Sequence, residues 1–349
     1  MIKIKVSIPG FGGNLNISQY VGNDDGVWGD ARFYVNDSSV DEVDYWFVID
    51  DLWHSVEEVR VDPRCVCYVN AEVVYENGYF DVYYRARFLD QFARIMSCHD
   101  IYRPNSESDI PFLSWMINAG HGPSIFSAHK RGLHWLMSLS EVEKKNKISV
   151  FCSNKTITGD HKLRLKFVQE IKSYFGDALD WYGNGINPVN EKWDGIAPYK
   201  YHIVLENKVA SNVITEKIYD SYLGLSYPFY WGAPNLGDYF SRGSFEPINI
   251  RDLKGTINQI EAAIQGDYWG TNYSQILESK ARVLSDYNPY ARMARIANQN
   301  ISGCGSLEQR RVILYDKKRV AMRDGRSFIS AINAWVGSMC CSLFGRIDL

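Results

Sequence analysis

The 349-residue sequence lacks several features that characterise whole classes of protein. It has no excess of positive charge: 38 Lys and Arg stand against 41 Asp and Glu, for a formal net charge of -3. A general nucleic-acid-binding protein normally carries a basic surface, so that class is not expected. The sequence also contains no continuous run of about 18 apolar residues of the kind that spans a membrane.

Cysteine and histidine are sparse as well. The seven cysteines are scattered, which argues against the disulfide framework of a small secreted protein. The Cys65/Cys67 pair and the seven histidines show no zinc-ligand spacing, so no structural metal site is expected. Residues Ile2 to Ile8 form a short alternating pattern, unlike the basic and apolar regions of a secretion signal. These absences predict a cytoplasmic protein with reduced cysteines.

What the chain does contain is an alternation of strand and helix patterns. At this length two domains are expected. Tyr45 to Ile49 and Ile148 to Cys152 are continuous apolar runs, as in strands that are covered on both faces. The strand candidates His202 to Leu205 and Tyr227 to Trp231 enclose a helical pattern from about Ile214 to Leu223. This succession predicts an α/β protein with parallel βαβ units.

Two changes in composition suggest where the domains end. The charged cluster from Glu141 to Lys147 resembles a solvated link, which predicts a first domain over residues 1–147 and a second over residues 148–305. Between Gln309 and Arg326 there are seven Lys and Arg against two Asp, and a helical pattern follows. Residues 306–349 are therefore predicted to form a basic, amphipathic helical tail. Such a tail either lies on an anionic membrane surface or packs on the domains, and packing is favoured.

Most of the candidate binding residues lie between Tyr199 and Phe245. Glu206-Asn207 follow a predicted strand, and ligands of open α/β sheets bind at this carboxyl edge. Thr215-Glu216-Lys217 then begin the next helix. A helix N-terminus with a lysine suits a phosphate, whereas Glu216 suits a sugar hydroxyl or a developing positive charge. A capped, solvated helix start is the competing interpretation of the same residues.

The order and spacing of this stretch resemble the donor-binding signature of glycosyltransferase family 10, the α-1,3/1,4-fucosyltransferases. The matching positions are Leu205-Glu206-Asn207, Ile214-Thr215-Glu216-Lys217, Pro228, Gly232-Ala233-Pro234-Asn235, Asp238-Tyr239 and Ser244-Phe245. The upstream segments that resemble the family are Ser153-Asn154, Arg164 with Phe167, and Leu179 to Gly183. Leu205, Lys208 and Val213 replace residues that are usual in the family, which bears on the donor sugar.

The resemblance implies the GT-B arrangement, in which two Rossmann-like domains face each other across a cleft. It implies inverting transfer of L-fucose from GDP-fucose to O3 of GlcNAc or Glc on an oligosaccharide or glycolipid acceptor, with no cofactor and no essential metal. It assigns the donor's pyrophosphate to Arg164, which the helical pattern alone would place on the surface. Glu216 is assigned to the fucose or its positive charge. The other donor-side residues are Lys217, Asn207, Glu206, Thr215, Ser153 and Asn154.

Members of the family also carry a carboxylate after a buried strand in the N-terminal half, where it serves as the general base. Glu72 fits this description, and Glu76, Asp50 and Asp51 are its competitors. Asp50-Asp51 could also be metal-binding carboxylates of the other large glycosyltransferase fold, but an adjacent pair that ends a buried strand is weak evidence for this. A helix cap or an edge position explains the pair as well. Two other functions remain open: a transferase that uses another GDP-sugar, and a non-catalytic sugar-nucleotide-binding protein.

Overall fold

The computed structural model describes residues 1–9, 17–71, 87–98, 101, 103–112, 115–120, 131–156 and 158–323. These residues fall into two compact units. Unit 1 combines the described residues up to 112 with residues 288–323, and unit 2 comprises those from 115 to 287. Three predicted features lie outside the described residues: Glu72, Glu76 and the tail beyond Arg323.

The strands are β1 (Ile2–Ser7), β2 (Val27–Trp28), β3 (Ala31–Val35), β4 (Tyr45–Ile49), β5 (Val56–Val61), β6 (Val66–Val69), β7 (Arg94–Ser97), β8 (Ser106–Ser108), β9 (Lys145–Phe151), β10 (Leu179–Tyr182), β11 (Tyr199–Leu205), β12 (Tyr227–Trp231), β13 (Glu246–Pro247) and β14 (Arg310–Tyr315). The helices are α1 (Ile17–Val21), α2 (Leu133–Ser138), α3 (Gly159–Phe175), α4 (Lys192–Ile196), α5 (Glu216–Leu223), α6 (Leu253–Gln265), α7 (Tyr268–Thr271), α8 (Tyr273–Leu284), α9 (Pro289–Gly303) and α10 (Lys317–Arg323).

Unit 1 is built on a mostly parallel sheet. Among its described residues seven strands pair in the order β2-β3-β1-β4-β6-β7-β8, and only β2 runs antiparallel to its neighbour. All residues of β4 are buried, as expected for a central strand covered on both faces. The remaining two strands, β5 and β14, form a separate antiparallel ribbon.

The sheet of unit 2 is parallel throughout its described strands, in the order β10-β9-β11-β12-β13. Helices α3, α4 and α5 each connect one strand to the next along the chain, which is the βαβ pattern predicted from the sequence. The strand order reverses between β9 and β11. In such sheets ligands bind at the carboxyl ends of the strands next to the reversal. The α/β class with two parallel-sheet units is thus confirmed.

The structure begins unit 2 earlier than the predicted boundary at residue 148. Lys144 lies in the cluster predicted to be a solvated link, yet its ammonium donates to the carbonyl oxygens of Ala197, Tyr199 and Gly224 at 2.6–3.1 Å. Burial lowers the pKa of Lys144 well below its usual value. The cluster is therefore attached to unit 2 through Lys144, and β9 begins within it at Lys145. The sequence does not reveal this attachment, because a charged side chain alone does not show whether carbonyl oxygens will surround it.

Residues 288–323 likewise return to unit 1, instead of being divided between a second domain and a tail at residue 305. Arg292 of α9 is 3% exposed, and its guanidinium donates to the carbonyl oxygens of Pro111 and Ile110 at 2.8 and 2.9 Å. It also lies 2.9 Å from the Asp109 carboxylate. These contacts attach α9 to the segment that follows β8, and such long-range partners leave no local mark in the sequence.

Replacement of Arg292 by Ala is expected to destabilise the protein by about 3 kcal/mol, because the carbonyl and carboxylate partners lose a buried cation. The measurement is the free energy of unfolding from a denaturant titration. Arg295→Ala is the matched control, because Arg295 is exposed on the same helix. Its cost should stay below about 1 kcal/mol. Equal losses in the two variants would show that Arg292 is not an anchor.

Candidate functional site

The predicted donor-side residues of unit 2 gather at the point where its strand order reverses. Ser153-Asn154 lie just after β9, and Glu206-Asn207 follow β11, the neighbouring parallel strand. Thr215 precedes α5 and Arg164 lies on α3. The structure thus brings these residues to one edge of one sheet, which is where a ligand of an open α/β sheet binds.

Arg164 is buried, not on the surface. It is 8% exposed, and its Nη1 donates to the carbonyl oxygen of Leu205 at 3.1 Å and to Oδ1 of Asn207 at 2.6 Å. Its Nε is buried and has no hydrogen-bond partner among the described residues. A buried donor without an acceptor is costly, and a bound anion would satisfy it. Asn207 therefore orients a guanidinium whose Nε–H group can still donate a hydrogen bond to a ligand.

Glu206 closes the loop between β11 and α5. Its carboxylate is fully buried and accepts hydrogen bonds from the amide and the hydroxyl of Thr215, at 3.0 and 2.7 Å. Lys217 Nζ lies 3.6 Å from the same carboxylate. Burial raises the pKa of Glu206, and the charge of Lys217 opposes that increase. Glu206 thus holds the start of α5 in place.

Glu216 and Lys217 form a tight pair in the first turn of α5. Lys217 Nζ donates to Glu216 Oε1 at 2.9 Å and to Thr215 Oγ1 at 3.1 Å. Burial raises the pKa of Glu216, but the charges of Lys217 and Lys192 outweigh it and lower the pKa to about 2. Thr215 and Glu216 are 2% and 7% exposed, so this is not the solvated helix start of the competing interpretation.

A cation-rich neighbourhood surrounds the start of α3. Thr158 and His161 form a capping box, in which the His161 ring accepts from the Thr158 amide at 3.2 Å. Burial, followed by the charges of Arg164, Lys155 and Lys217, lowers the pKa of His161 to about 4. The imidazole is therefore neutral at pH 7, and the positive charge of the surrounding side chains favours an anionic ligand.

Other residues of the signature hold the loop between β11 and α5 in place. Asn212 adopts a left-handed conformation with φ 64°, and it is held by Asn235 and by the Tyr239 hydroxyl, which donates to its Oδ1 at 2.7 Å. At Gly232 a Cβ would lie 2.4 Å from the Tyr230 hydroxyl and 2.5 Å from Cγ of Glu206. Glycine is needed there because Glu206 and Tyr230 fill the space.

Sequence reasoning missed Lys192 and Asp220. Lys192 Nζ lies 4.0 Å from Glu216 Oε1 and 3.2 Å from Asp220 Oδ2. Asp220 had a weak signal, since it follows Glu216 by one helical turn and shares its face. Lys192 had none, because the loop before α4 carries no motif.

In unit 1 the first candidates for the base, Glu72 and Glu76, lie outside the described residues. Asp50 Oδ1 accepts from the Ala71 amide at 2.9 Å and links the ends of β4 and β6. Asp51 Oδ1 accepts from the Lys317 amide at 3.1 Å, at the start of α10. Burial raises the pKa of Asp51 to about 6. Both carboxylates thus accept structural hydrogen bonds, and Asp51 does so from the first amide of a helix, as in the alternative of a cap.

Neither a metal cluster nor a membrane span is found in the part of the chain that the structure describes. Its side chains form no group of three or more His, Cys, Asp or Glu suited to a metal ion. None of its helices is both long enough and apolar enough to cross a bilayer.

Comparison with known proteins finds a relative by sequence. No family model matches the chain. Over 98 residues it is 35% identical to the α-(1,3)-fucosyltransferase FucT of Helicobacter pylori, a match that covers 24% of this chain and 19% of that protein. The chain is similar to a fucosyltransferase. The resemblance predicted from its motifs is thereby confirmed as a sequence similarity.

Solved structures give a looser likeness. A crystal structure of an α1,3-fucosyltransferase with GDP aligns over 88% of this chain and 91% of its own, at 14% identity and a TM-score of 0.47. One with GDP-fucose aligns over 88% and 93%, at 14% identity and a TM-score of 0.44.

His161→Gln is expected to reduce the loss of unfolding free energy that occurs as the pH falls below 7. A histidine with a lowered pKa stabilises the fold fully above about pH 6.5, and this stabilisation is lost as the pH falls towards 4, because the unfolded state takes up the proton first. Glutamine keeps an acceptor for the Thr158 amide but does not titrate.

The measurement is the free energy of unfolding at pH 7 and pH 4.5. The difference between the two values should be smaller in the variant, by about 2 kcal/mol. His134→Gln is the matched control, because His134 is exposed on α2. An unchanged pH dependence in His161→Gln would contradict the neutral imidazole.

Proposed function

We propose that the protein transfers L-fucose from GDP-fucose to a hydroxyl group of a glycan acceptor. The observation that carries the proposal is the buried guanidinium of Arg164, whose Nε has no partner among the described residues, at the reversal of the unit 2 sheet. The sequence similarity to a fucosyltransferase supports the choice of donor. Because the matched segment covers 19% of that relative, the activity of the whole chain is a proposal.

In this proposal the diphosphate of GDP binds between Arg164 and the start of α5. A guanidinium presents a planar set of donors that neutralises a diphosphate better than a point charge. The positive end of the α5 dipole and the ammonium group of Lys217 add positive charge on the other side. Asn207 orients Arg164, and Ser153-Asn154 border the same edge after β9.

The reaction is a single displacement with inversion. The acceptor oxygen forms a bond to the anomeric carbon of fucose as the bond from that carbon to the β-phosphate oxygen breaks. The acceptor proton passes to a carboxylate, which we assign to Glu72, and the electron pair of the broken bond leaves on GDP. Arg164 and Lys217 stabilise that charge, so no metal and no other cofactor is required.

Glu216 takes the sugar side of the donor. Its carboxylate stays ionised at neutral pH because its pKa is lowered to about 2. An ionised carboxylate accepts strong hydrogen bonds from sugar hydroxyls and stabilises the positive charge of an oxocarbenium-like transition state. Glu206 and Thr215 support this arrangement through the loop contacts described above.

The acceptor is proposed to be O3 of GlcNAc or Glc on an oligosaccharide or glycolipid, as in lipopolysaccharide O-antigen or protein-linked glycans. Contact of the basic tail with a membrane that carries such an acceptor is the alternative to its packing on the domains, and packing is favoured. Use of another GDP-sugar and binding without catalysis are the alternatives. A donor screen by thermal shift and an assay of GDP release with acceptor present separate them from the proposal.

Arg164→Ala is expected to lower fucosyl transfer at least about 100-fold, because the leaving diphosphate loses its buried counter-charge. The measurement is transfer from radiolabelled GDP-fucose to N-acetyllactosamine or lactose, with the fold checked by circular dichroism. Arg164→Lys should recover only part of the rate, since an ammonium lacks the planar donor set.

Lys166→Ala is the matched control, because Lys166 lies on the same helix with a side chain that is 72% exposed. It should transfer fucose at the wild-type rate. The assays are carried out with EDTA present. Normal turnover in Arg164→Ala would contradict the phosphate assignment, and a requirement for added divalent metal would contradict the metal-free mechanism.

Glu72→Gln is expected to bind GDP-fucose normally but to transfer it at least about 100-fold more slowly, because the acceptor proton has no base within reach. Donor affinity is measured by calorimetry and transfer by the same assay. Glu76→Gln is the matched comparison and should remain active. If Glu76→Gln transfers fucose slowly and Glu72→Gln remains active, Glu76 is the base.

A further inference from the structure

Lys192 and Asp220 extend the charged cluster around Glu216 beyond anything the sequence signature contains. Lys192 begins α4, whereas Asp220 lies on α5 one turn after Glu216. The Lys192 ammonium lies 3.2 Å from Asp220 Oδ2 and 4.0 Å from Glu216 Oε1. The three residues are 9%, 1% and 7% exposed. Lys192 thus approaches Glu216 from a different element than Lys217 does.

The position of Lys192 is fixed by the backbone on both sides. Its own amide donates to the carbonyl oxygen of Ala119 at 2.7 Å. Its partner Asp220 accepts the amide of Met116 at 2.7 Å through Oδ1, which leaves Oδ2 for the lysine. The segment 115–120 therefore holds both members of the Lys192–Asp220 pair.

The cluster is uneven in charge. Among the described residues its carboxylates are Glu206, Glu216 and Asp220, whereas its ammonium groups are those of Lys192 and Lys217. Burial raises the pKa of Asp220 to about 6 despite Lys192. By contrast, the two lysines lower the pKa of Glu216 to about 2. The arrangement thus favours the ionised form of Glu216 more strongly than that of Asp220.

Stability alone gives no reason for such a cluster. A buried ion pair seldom improves on apolar side chains of similar size, because removing the charges from water costs about as much as their attraction returns. A carboxylate that is fixed and permanently charged is useful where it must accept hydrogen bonds from hydroxyl groups or oppose a developing positive charge.

We propose that Lys192 is a positioning residue for the donor sugar. Together with Lys217 it holds the Glu216 carboxylate charged and in a fixed orientation, and Asp220 anchors Lys192 in turn. The inference rests on the proposed function, because that function assigns Glu216 to the sugar. If Lys192 has this role, its loss weakens binding of the sugar part of the donor but not binding of the nucleotide part.

Calorimetric titration with GDP and with GDP-fucose separates the two parts. Lys192→Met should lower the affinity for GDP-fucose about tenfold, which corresponds to about 1.4 kcal/mol, and leave the affinity for GDP unchanged. Glu216→Gln should show the same pattern. The double variant should lose no more than either single variant, because the two side chains act through one carboxylate.

Lys280→Met is the matched control. Lys280 is also a buried lysine of unit 2, at 4% exposure, but its ammonium donates to the carbonyl oxygen of Leu139 and not to a carboxylate. It should bind both ligands like the wild type. If Lys192→Met does not fold, Lys192→Gln removes the same charge while keeping a donor for Asp220, and Lys192→Arg should retain the wild-type pattern.

The outcomes distinguish the inference from the proposed function. Wild-type protein that binds neither ligand would contradict the proposed function itself. Wild-type binding of GDP-fucose with equal losses for both ligands in Lys192→Met would overturn the positioning role, since Lys192 would then serve the phosphate or the scaffold. Unchanged binding of both ligands in that variant would overturn it as well.

Discussion

The candidate site depends on the burial of one carboxylate. Glu206 is 0% exposed and must therefore be satisfied within the protein. Thr215 satisfies it through its amide and hydroxyl, and Lys217 balances its charge. The end of β11, the start of α5 and the orientation of Lys217 are coupled for this reason. A shift in any of them would leave a buried charge without its partners.

Around that carboxylate the site divides into two electrostatic neighbourhoods that share Lys217. One contains Arg164 and Lys155, whose positive charges add to the effect of burial in lowering the pKa of His161 to about 4. The other contains carboxylates, of which Glu216 is held ionised. A nucleotide sugar also has two such parts, a diphosphate next to a sugar with hydroxyl groups. This correspondence supports the proposal of a nucleotide-sugar donor on physical grounds.

Contacts between distant parts of the chain decide which segments belong to each unit. Lys144 and the segment 115–120 bind to unit 2, although the composition around residue 147 indicates a linker. Helix α9 returns to unit 1 through Arg292, after the chain has completed the unit 2 sheet. Each of these contacts joins a charged side chain or an amide to backbone oxygens far away in sequence. Composition changes locate polar segments well, but they do not show which unit those segments join.

The sequence by itself determined the α/β class, the strand and helix succession of unit 2, and the residues of the signature. Continuous apolar strands and a capped helix start depend on neighbouring residues, so they can be read locally. Only the tertiary structure decided that Arg164 is buried with an unsatisfied donor and that Asn207 orients it. It also revealed the ion pair between Lys192 and Asp220. Such a pair forms only when two helices lie close together in space, and the spacing of residues along the chain does not show this.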